Sequence, residues 1–335
     1  MTTPPPSHPQ VLAIGEPLIE FNASSEGPLT HAAGFQVGYG GDTSNMVVAA
    51  RRSGARAGYL TRIGDDAFGR RLIDLWQAEE IDTTGVTQEV GGRTGIYFVS
   101  RHGQGAHAFA YYRDGSPASR LCPSDVPASA VAAADLLHVS GITQAISSSA
   151  CDAAFHAIAT ARRYGTLVSY DPNHRPALWS PERARGIVMR TAELSDIVLP
   201  SLAEGRLLTG ESDPEQVLDA FAQRGPSLVA LKMGEAGVLV AETAHGRITH
   251  IPAHPVRAVD ATGAGDTFDG AFAARLLAGA TPLEAARYAV IAAALTTTGF
   301  GAVDPIPRRD KVADSLEHQR RGDESSAESD SGSDL

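Results

Sequence analysis

The stretch DATGAGDTFDGAF, residues 260–272, places Gly-Ala-Gly directly before an acid. Three large apolar residues, Phe268, Phe272 and Leu276, then recur at intervals of four. That interval puts all three on one face of a helix and predicts a helix over 266–278. The stretch therefore predicts a glycine-rich turn that leads into a helix.

The residues of this turn suit the binding of an anion. Gly263, Ala264 and Gly265 let backbone N–H groups come close to a ligand. The positive end of the following helix points to the same place and favours a phosphate or a developing oxyanion. Asp266 can reach a bound hydroxyl there, as a base that deprotonates an alcohol attacking a phosphoryl group would. From spacing alone, a glycine turn with a plain helix cap is the alternative.

Two other phosphate-binding patterns are absent from the sequence. The G-x-x-x-x-G-K-[ST] pattern does not occur, and no G-x-G-x-x-G follows the first predicted strand. A dinucleotide-binding domain depends on the second pattern. Its absence disfavours a Rossmann dehydrogenase, the main structural competitor.

Short apolar runs alternate with helical patterns along the chain. The predicted strands are VLAIG (11–15), AGYLTRIG (57–64), DLLHVSG (135–141), TLVSYD (166–171), DIVLP (196–200), LVALK (228–232) and GVLVAE (237–242). The predicted helices cover 45–54, 67–80, 147–163, a segment after Trp179, a segment near Leu202, 266–278 and 282–298. The alternation predicts an α/β fold with a doubly wound, mostly parallel sheet and helices on both faces. Ligands of such sheets bind beyond the carboxyl ends of the strands.

Residues 94–113 interrupt this alternation. TGIYFVS and AHAFAYYR are two strand-like runs joined by RHGQG, which predicts a β-hairpin with glycine in its loop. Half-buried strands are also expected within about 16–40. Together these strands predict a small β lid beside the main sheet.

Composition limits the class of protein. The chain has 335 residues, 43% of them hydrophobic, and a net charge of −11. The charge argues against a nucleic-acid partner. Cys122 and Cys151 have neither metal-binding nor disulfide spacing. We expect one large domain over 10–310.

The two ends of the chain differ in composition from this domain. Residues 1–9 and 311–335 are expected to be disordered, since the last fourteen residues hold five acids, five serines and no base. The start of the chain lacks a basic stretch followed by an apolar run, and no run is long enough to span a membrane. The sequence predicts a cytoplasmic protein without a membrane partner.

Four motifs in order along the chain resemble the ribokinase-like (PfkB) sugar kinases. DATGAGDTF is similar to their C-terminal signature. GYGGDTSN (38–45), RIGDDAFG (62–69) and LKMGEAGVLV (231–240) resemble their sugar-binding glycine motif, their G-x-D-x-x-G segment and their nucleotide-side segment. The resemblance covers roughly residues 10–305, and members of the family are α/β proteins with a small β lid.

The resemblance implies a mechanism and cofactors. Asp266 would be the catalytic base, and the backbone amides of Ala264, Gly265 and Asp266 would form the anion hole. Gly263 is counted with these catalytic residues. ATP and Mg²⁺ are expected, while a requirement for K⁺ near Asp260 and the 299–302 loop stays open. The residues expected to bind the nucleotide are Lys232, Gly234, Gly237, Thr262, Gly263 and Gly265. In SLAE (201–204), Ser201 replaces the usual asparagine of the family, and Glu204 would hold Mg²⁺ through water.

Two arginines narrow the substrate. Arg113 lies in YYRDGSPAS (111–119) and Arg175 in DPNHRPALW (171–179), just after a predicted strand. A guanidinium group can bind a carboxylate through two parallel hydrogen bonds, so two arginines at one cleft suit an anionic sugar. Internal salt bridges are the alternative role for both side chains.

These stretches, with SGIT (140–143), are similar to 2-keto-3-deoxygluconate kinases. By that resemblance the substrate-contacting residues are Gly41, Tyr97, Tyr111, Arg113, Arg175 and Asp266, with Asp42 and Asn45 bordering the site. The implied reaction is transfer of phosphate from ATP to the terminal hydroxyl of the acid sugar. Alternatives are a fructokinase, a 5-dehydro-2-deoxygluconokinase, or a catalytically silent sugar-binding protein. Pairing of lid sheets, common in the family, implies a homo-oligomer.

Overall fold

The structure, a computed structural model, describes residues 8–102 and 106–318. Its strands are β1 (Val11–Ile14), β2 (Leu18–Glu26), β3 (Phe35–Gly40), β4 (Ala57–Gly64), β5 (Val86–Glu89), β6 (Ile96–His102), β7 (Ala106–Tyr112), β8 (Leu136–Ser140), β9 (Leu167–Asp171), β10 (Ile197–Val198), β11 (Leu228–Lys232), β12 (Val238–Glu242) and β13 (Arg247–Ile251). Its helices are α1 (Asp42–Arg52), α2 (Ala67–Ala78), α3 (Ala128–Ala133), α4 (Gly141–Ala145), α5 (Ser148–Tyr164), α6 (Pro181–Glu193), α7 (Leu202–Thr209), α8 (Pro214–Ala222), α9 (Ala264–Leu277), α10 (Pro282–Thr296) and α11 (309–318). None of these helices is long and apolar enough to cross a membrane.

The main sheet of the described chain has the strand order β13-β12-β11-β10-β9-β8-β1-β4-β5. Strands β11 through β5 run parallel, and β12 and β13 extend the sheet as an antiparallel edge. Side chains of β1 alternate between two hydrophobic clusters, with Val11 and Ala13 in one and Leu12 and Ile14 in the other. Helices therefore cover both faces of the sheet, which confirms the predicted fold class.

Helices α1 and α9 lie in close contact on one face of this sheet. Gly270 of α9 makes the contact possible, because a Cβ atom there would lie 2.2 Å from the carbonyl oxygen of Met46. Phe268 and Phe272, from the predicted apolar face, are buried and stack with ring centroids 5.6 Å apart. This packing brings the first turns of the two helices together at the carboxyl edge of the sheet.

The predicted lid is present as a second sheet with the order β3-β2-β6-β7. Strands β2 and β6 pair in parallel, and the other two pairs are antiparallel. The predicted hairpin corresponds to β6 and β7, and its turn at 103–105 lies outside the described residues. The order of elements makes the chain cross between main domain and lid four times, after β1, after β3, before β6 and after β7.

Periodicity did not predict β5 or β13. Most residues of both strands are exposed or half-buried, and each lies at an edge of the main sheet. An edge strand without a continuous apolar run leaves little signal in the sequence.

The described structure extends past both predicted domain boundaries. Helix α11 continues the fold past residue 310, because its Val312 is fully buried in the cluster that contains α1 and α9. At the other end, the carbonyl oxygen of His8 accepts a hydrogen bond of 3.0 Å from Nε of Arg56. Residues 1–7 and 319–335, where the rest of the predicted tails falls, lie outside the described residues.

Candidate active site

A cleft of about 750 Å³ opens between the lid and the carboxyl ends of the parallel strands. All but two of the residues predicted to act in binding or catalysis line it. The exceptions are Ala264 and Gly237. Ala264 belongs to the backbone between two lining glycines, whereas Gly237 lies close to β13, where a Cβ atom would be 2.1 Å from the carbonyl oxygen of Ile251. Gly237 therefore serves the packing of this turn.

The backbone before α9 has a fixed conformation. Gly263, with φ of +76°, precedes the helix in the left-handed region, and a Cβ atom there would lie 2.6 Å from the carbonyl oxygen of Ala302. Asp260 fixes both sides of the loop: its Oδ1 accepts from the amide of Thr262 and its Oδ2 from that of Gly301, each at 2.9 Å. The amides at the start of α9 are thus held at the floor of the cleft, where an anion can accept hydrogen bonds.

Asp266 lies in the first turn of α9 and faces the cleft. Its Oδ2 accepts a hydrogen bond of 2.8 Å from Nδ2 of Asn45 in α1. Burial raises the pKa of Asp266 to about 7, with a further contribution from the nearby charge of Asp42. A carboxylate with this pKa can accept a proton near neutral pH and is oriented by its amide partner.

Asp42 forms a second polar group in the cleft. Its Oδ2 accepts from the hydroxyl of Ser140 and, at 3.1 Å, from Nδ2 of Asn173. Its Oδ1 is buried and has no hydrogen-bond partner among the described residues. Burial raises the pKa of Asp42 despite the bond from Ser140. An acceptor left open in this way suits the hydroxyl group of a ligand.

Lys232, at the end of β11, contacts two buried carboxylates. Its Nζ lies 3.1 Å from Oδ2 of Asp171 and 2.9 Å from Oδ1 of Asp269. Burial opposes the charged lysine, but the charges of Asp171 and Asp269 outweigh it and raise the pKa of Lys232. Most of its hydrogen-bonding capacity is therefore taken up by these acids, which leaves less for the nucleotide contact expected from the sequence.

Glu204 and Ser201 cap the start of α7. The Ser201 amide donates to Oε1 of Glu204 at 2.5 Å, and the His174 amide donates to Oε2 at 2.8 Å. The hydroxyl of Ser201 accepts from the Glu204 amide, which completes a capping box. Burial, followed by the charge of Asp171, raises the pKa of Glu204 to about 7. Ser201 thus has a clear structural role where the family usually has asparagine.

The two arginines of the cleft differ in their partners. Arg113, only 9% exposed, forms an ion pair with the buried carboxylate of Glu16. Burial raises the pKa of Glu16, and the charge of Arg113 opposes that rise. Arg175 is exposed and donates only to the carbonyl oxygen of His174, at 3.3 Å. Within the described chain, the internal salt bridge therefore applies to Arg113, and Arg175 has no carboxylate partner.

The two predicted tyrosines lie on the lid side of the cleft. The hydroxyl of Tyr97 donates to Oε2 of Glu20 at 2.5 Å, so its polar atom is engaged within the protein. Tyr111 stacks on Tyr97 with ring centroids 5.6 Å apart and is 44% exposed. The lid thus presents an aromatic surface to the cleft.

Sequence reasoning missed four acids or amides of this region. Glu16, Asp171 and Asn173 line the cleft, and Asp269 contacts Lys232 behind it. Asp171 ends a predicted strand and Asn173 follows it closely, so their position at the carboxyl end of the strand offered a signal. Glu16 and Asp269 offered none, because their partners are remote in sequence.

A sequence profile of the pfkB family carbohydrate kinases matches residues 8–309. The chain belongs to this family. This match confirms the family that the four sequence motifs predicted.

Relatives with assigned names fall into two groups. A 2-dehydro-3-deoxygluconokinase of Thermoproteus tenax is 36% identical over 301 residues, 89% of this chain and 91% of that protein. A protein of the same name from Bacillus subtilis is 32% identical over 321 residues, covering 93% and 98%. A probable fructokinase-2 of Arabidopsis thaliana is also 32% identical, over 309 residues, 89% and 92%. Overall similarity therefore supports a sugar kinase and does not separate the two substrates.

Solved structures share the whole architecture. A protein from E. coli in complex with ATP and Mg²⁺ has a TM-score of 0.86 at 27% identity, covering 92% of this chain and 99% of that one. A fructokinase of Vibrio cholerae O395, bound to fructose, ADP and calcium, has a TM-score of 0.81 at 29% identity, covering 93% and 100%.

Proposed function

We propose that the protein transfers the γ-phosphate of ATP to the terminal hydroxyl of 2-keto-3-deoxygluconate, giving the 6-phosphate. The observation that carries this choice is Arg175, an exposed cation without a carboxylate partner in the described chain, in the same cleft as Asp266. A neutral sugar would leave this charge without a partner, whereas an acid sugar supplies a carboxylate for it. The names of the relatives from Thermoproteus tenax and Bacillus subtilis agree with the proposal.

The reaction follows from the positions of the groups in the cleft. The acid sugar binds between lid and main domain, with its carboxylate against Arg175 and Arg113 and a hydroxyl against Asp42. Asp266 accepts the proton of the terminal hydroxyl as that oxygen attacks the γ-phosphate in line, and the bond from the γ-phosphorus to the bridging oxygen breaks so that ADP leaves. Backbone N–H groups of Gly265 and Asp266 stabilise the charge on the transferring group, while the Ala264 amide donates to the carbonyl oxygen of Ala261. Closure of the lid over the sugar excludes water and limits hydrolysis of ATP.

The nucleotide and its metal ion fit the phosphate side of the cleft, beside Gly234 and Thr262. Among the described residues, no group of three or more His, Cys, Asp or Glu side chains could hold a metal ion. Both oxygens of Glu204 already accept backbone N–H groups. Phosphates and water would therefore supply most of the ligands of Mg²⁺, and Glu204 would contact the metal ion through a water molecule. Bound Mg²⁺ would neutralise phosphate charge.

A coupled assay with a panel of sugars tests the substrate. We expect kcat/KM for 2-keto-3-deoxygluconate to exceed that for fructose or ribose. Arg175→Gln should raise KM for the acid sugar about 30-fold, because a hydrogen bond to a charged group is lost. KM for ATP and the weak activity on fructose should change little.

Arg163→Gln is a matched control, since Arg163 is exposed on α5 and does not line the cleft. It should leave all of these constants unchanged. Preference of the wild type for fructose would reject the proposal in favour of a fructokinase. Equal losses for acid and neutral sugars in Arg175→Gln would show that Arg175 does not bind the carboxylate.

The pH dependence of the reaction tests the base. Asp266 must be ionised to accept a proton, and its pKa is raised to about 7 by burial and the charge of Asp42. Lowering the pH through this value protonates it, so kcat/KM should fall about tenfold per unit below the pKa. Initial rates at saturating ATP between about pH 5.5 and 9 would measure this acidic limb of the pH–rate profile.

Asn45→Ala provides the comparison. The amide of Asn45 donates to Asp266 and lowers its pKa, so its removal should move the acidic limb to higher pH. An identical limb in both proteins, or a midpoint near that of a free carboxylic acid, would contradict the assignment.

A further inference from the structure

Glu16 lies where the lid joins the main domain. It follows β1, where the chain first crosses to the lid, and only 1% of its surface is exposed. The other three chain crossings approach this one residue. The second is Gly41, where a Cβ atom would lie 2.3 Å from the carbonyl oxygen of Glu16. The third is Gly95, where a Cβ atom would lie 3.3 Å from Oε1 of Glu16.

The fourth crossing binds Glu16 directly. Arg113 follows β7 and forms the ion pair with the Glu16 carboxylate. Three residues later, the hydroxyl of Ser116 donates to Oε1 of Glu16 at 2.7 Å. The Ser116 amide in turn donates to the carbonyl oxygen of Arg113 at 3.0 Å. The carboxylate thus holds the last lid residue and the start of the returning chain.

This arrangement separates the roles of the two arginines. The charge of Arg113 is compensated by Glu16, so its contribution to the cleft is a set of N–H donors in a fixed direction. Arg175 forms no ion pair within the described chain, although its charge acts on Asp42, so it contributes a charge with which a substrate carboxylate can pair.

We propose that Glu16 is a positioning residue of the sugar site, which holds the Arg113 guanidinium at the base of the lid so that it meets the substrate carboxylate in one orientation. The inference rests on the proposed function as an acid-sugar kinase. Glu16 acts through Arg113 and does not itself contact the reacting atoms.

A double-mutant cycle tests whether Glu16 acts through Arg113. The proteins are the wild type, Glu16→Gln, Arg113→Gln and the double variant, each assayed with 2-keto-3-deoxygluconate and with fructose. Glu16→Gln should lower kcat for the acid sugar about 10- to 100-fold, the effect of misplacing a substrate-positioning group. KM for the acid sugar should change less, because the charge released on Arg113 attracts the carboxylate while its orientation is lost.

Coupling in the cycle distinguishes positioning from a general structural role. Once Arg113 is glutamine, Glu16 has no guanidinium left to orient toward the sugar, so the double variant should be no slower than Arg113→Gln. The double variant also contains no unpaired charge at this position. If Glu16→Gln alone does not fold, the comparison of the double variant with Arg113→Gln still decides the question.

Glu79→Gln is the matched control. Glu79 is 7% exposed and pairs with Arg52 at 2.8 Å, outside the cleft. The same chemical change there breaks a similar buried ion pair, and should lower the melting temperature without changing kcat.

Several results would overturn the inference. One is an unchanged kcat in Glu16→Gln, and another is a double variant in which the losses of kcat from the two single variants multiply. A double variant that fails to fold while Arg113→Gln folds would also overturn it. So would a loss of kcat in Glu79→Gln as large as that in Glu16→Gln. Wild-type preference for fructose would reject the proposed function and the inference with it. Wild-type preference for the acid sugar together with multiplied losses would reject the inference alone.

Discussion

Asp266→Asn is expected to lower kcat by about 10³- to 10⁴-fold, because a positioned general base contributes about this much to the rate. The substitution keeps the shape of the side chain and removes its ability to accept the proton of the sugar hydroxyl. Binding should survive, since asparagine can still form a hydrogen bond with the sugar hydroxyl and the other contacts proposed for sugar and nucleotide do not involve Asp266. Single-turnover kinetics and calorimetric titration with sugar and with nucleotide would measure the two effects separately.

Stability distinguishes loss of the base from loss of the fold. Because burial raises the pKa of Asp266 to about 7, its ionised form is less favourable in the folded chain than in the unfolded chain. Its contribution to stability is therefore lost as pH rises from the unfolded pKa through about 7. Above that pH, Asp266→Asn should melt at no lower temperature than the wild type. A drop in kcat of less than tenfold would reject Asp266 as the base.

Asp269→Asn is a useful comparison on the same helix. Burial and the charge of Asp171 raise the pKa of Asp269 against the effect of Lys232. Asp269 pairs with Lys232 and does not line the cleft, so its replacement by asparagine should lower kcat far less than Asp266→Asn. Equal losses would mean that both carboxyl groups act as one unit.

Gly263→Ala is expected to lower kcat by about 10²-fold, the effect of losing a donor from an anion hole. A methyl group at this left-handed position would lie 2.6 Å from the carbonyl oxygen of Ala302. The loop must shift to relieve that clash, and the N–H groups at the start of α9 shift with it. Affinity for the sugar should change little, because Asp42 and Arg175 lie on other elements. Steady-state kinetics with varied sugar and varied ATP would measure kcat and the KM for the sugar.

Gly279→Ala separates backbone strain from displacement of the anion hole. Gly279 follows the same helix with φ of +89°, but a Cβ atom there would have no atom within 4 Å. This variant should lose about 1 kcal/mol of stability from its backbone conformation and keep its kcat. Retention of kcat in Gly263→Ala as well would mean that the turn does not form the anion hole.

Local signals were sufficient for most elements of the fold. The intervals of Phe268, Phe272 and Leu276 predicted α9, and alternating apolar runs predicted the parallel strands. These signals are local because a helix or buried strand repeats its environment every few residues. Edge strands such as β13 have no buried face along their whole length, so their pattern carried little information.

The sequence by itself determined the α/β fold, the lid hairpin and the glycine turn before Asp266, since each depends on residues close together in the chain. Only the tertiary structure decided which charges meet in the cleft. It paired Arg113 with Glu16 and Lys232 with Asp171 and Asp269, and it left Arg175 without a carboxylate partner in the described chain. Those pairings depend on how β1, β7, β9, β11 and α9 converge at one edge of the sheet. The electrostatic effect of a charged group in the cleft depends on which other groups lie near it in space. The spacing of residues along the chain does not encode those neighbours.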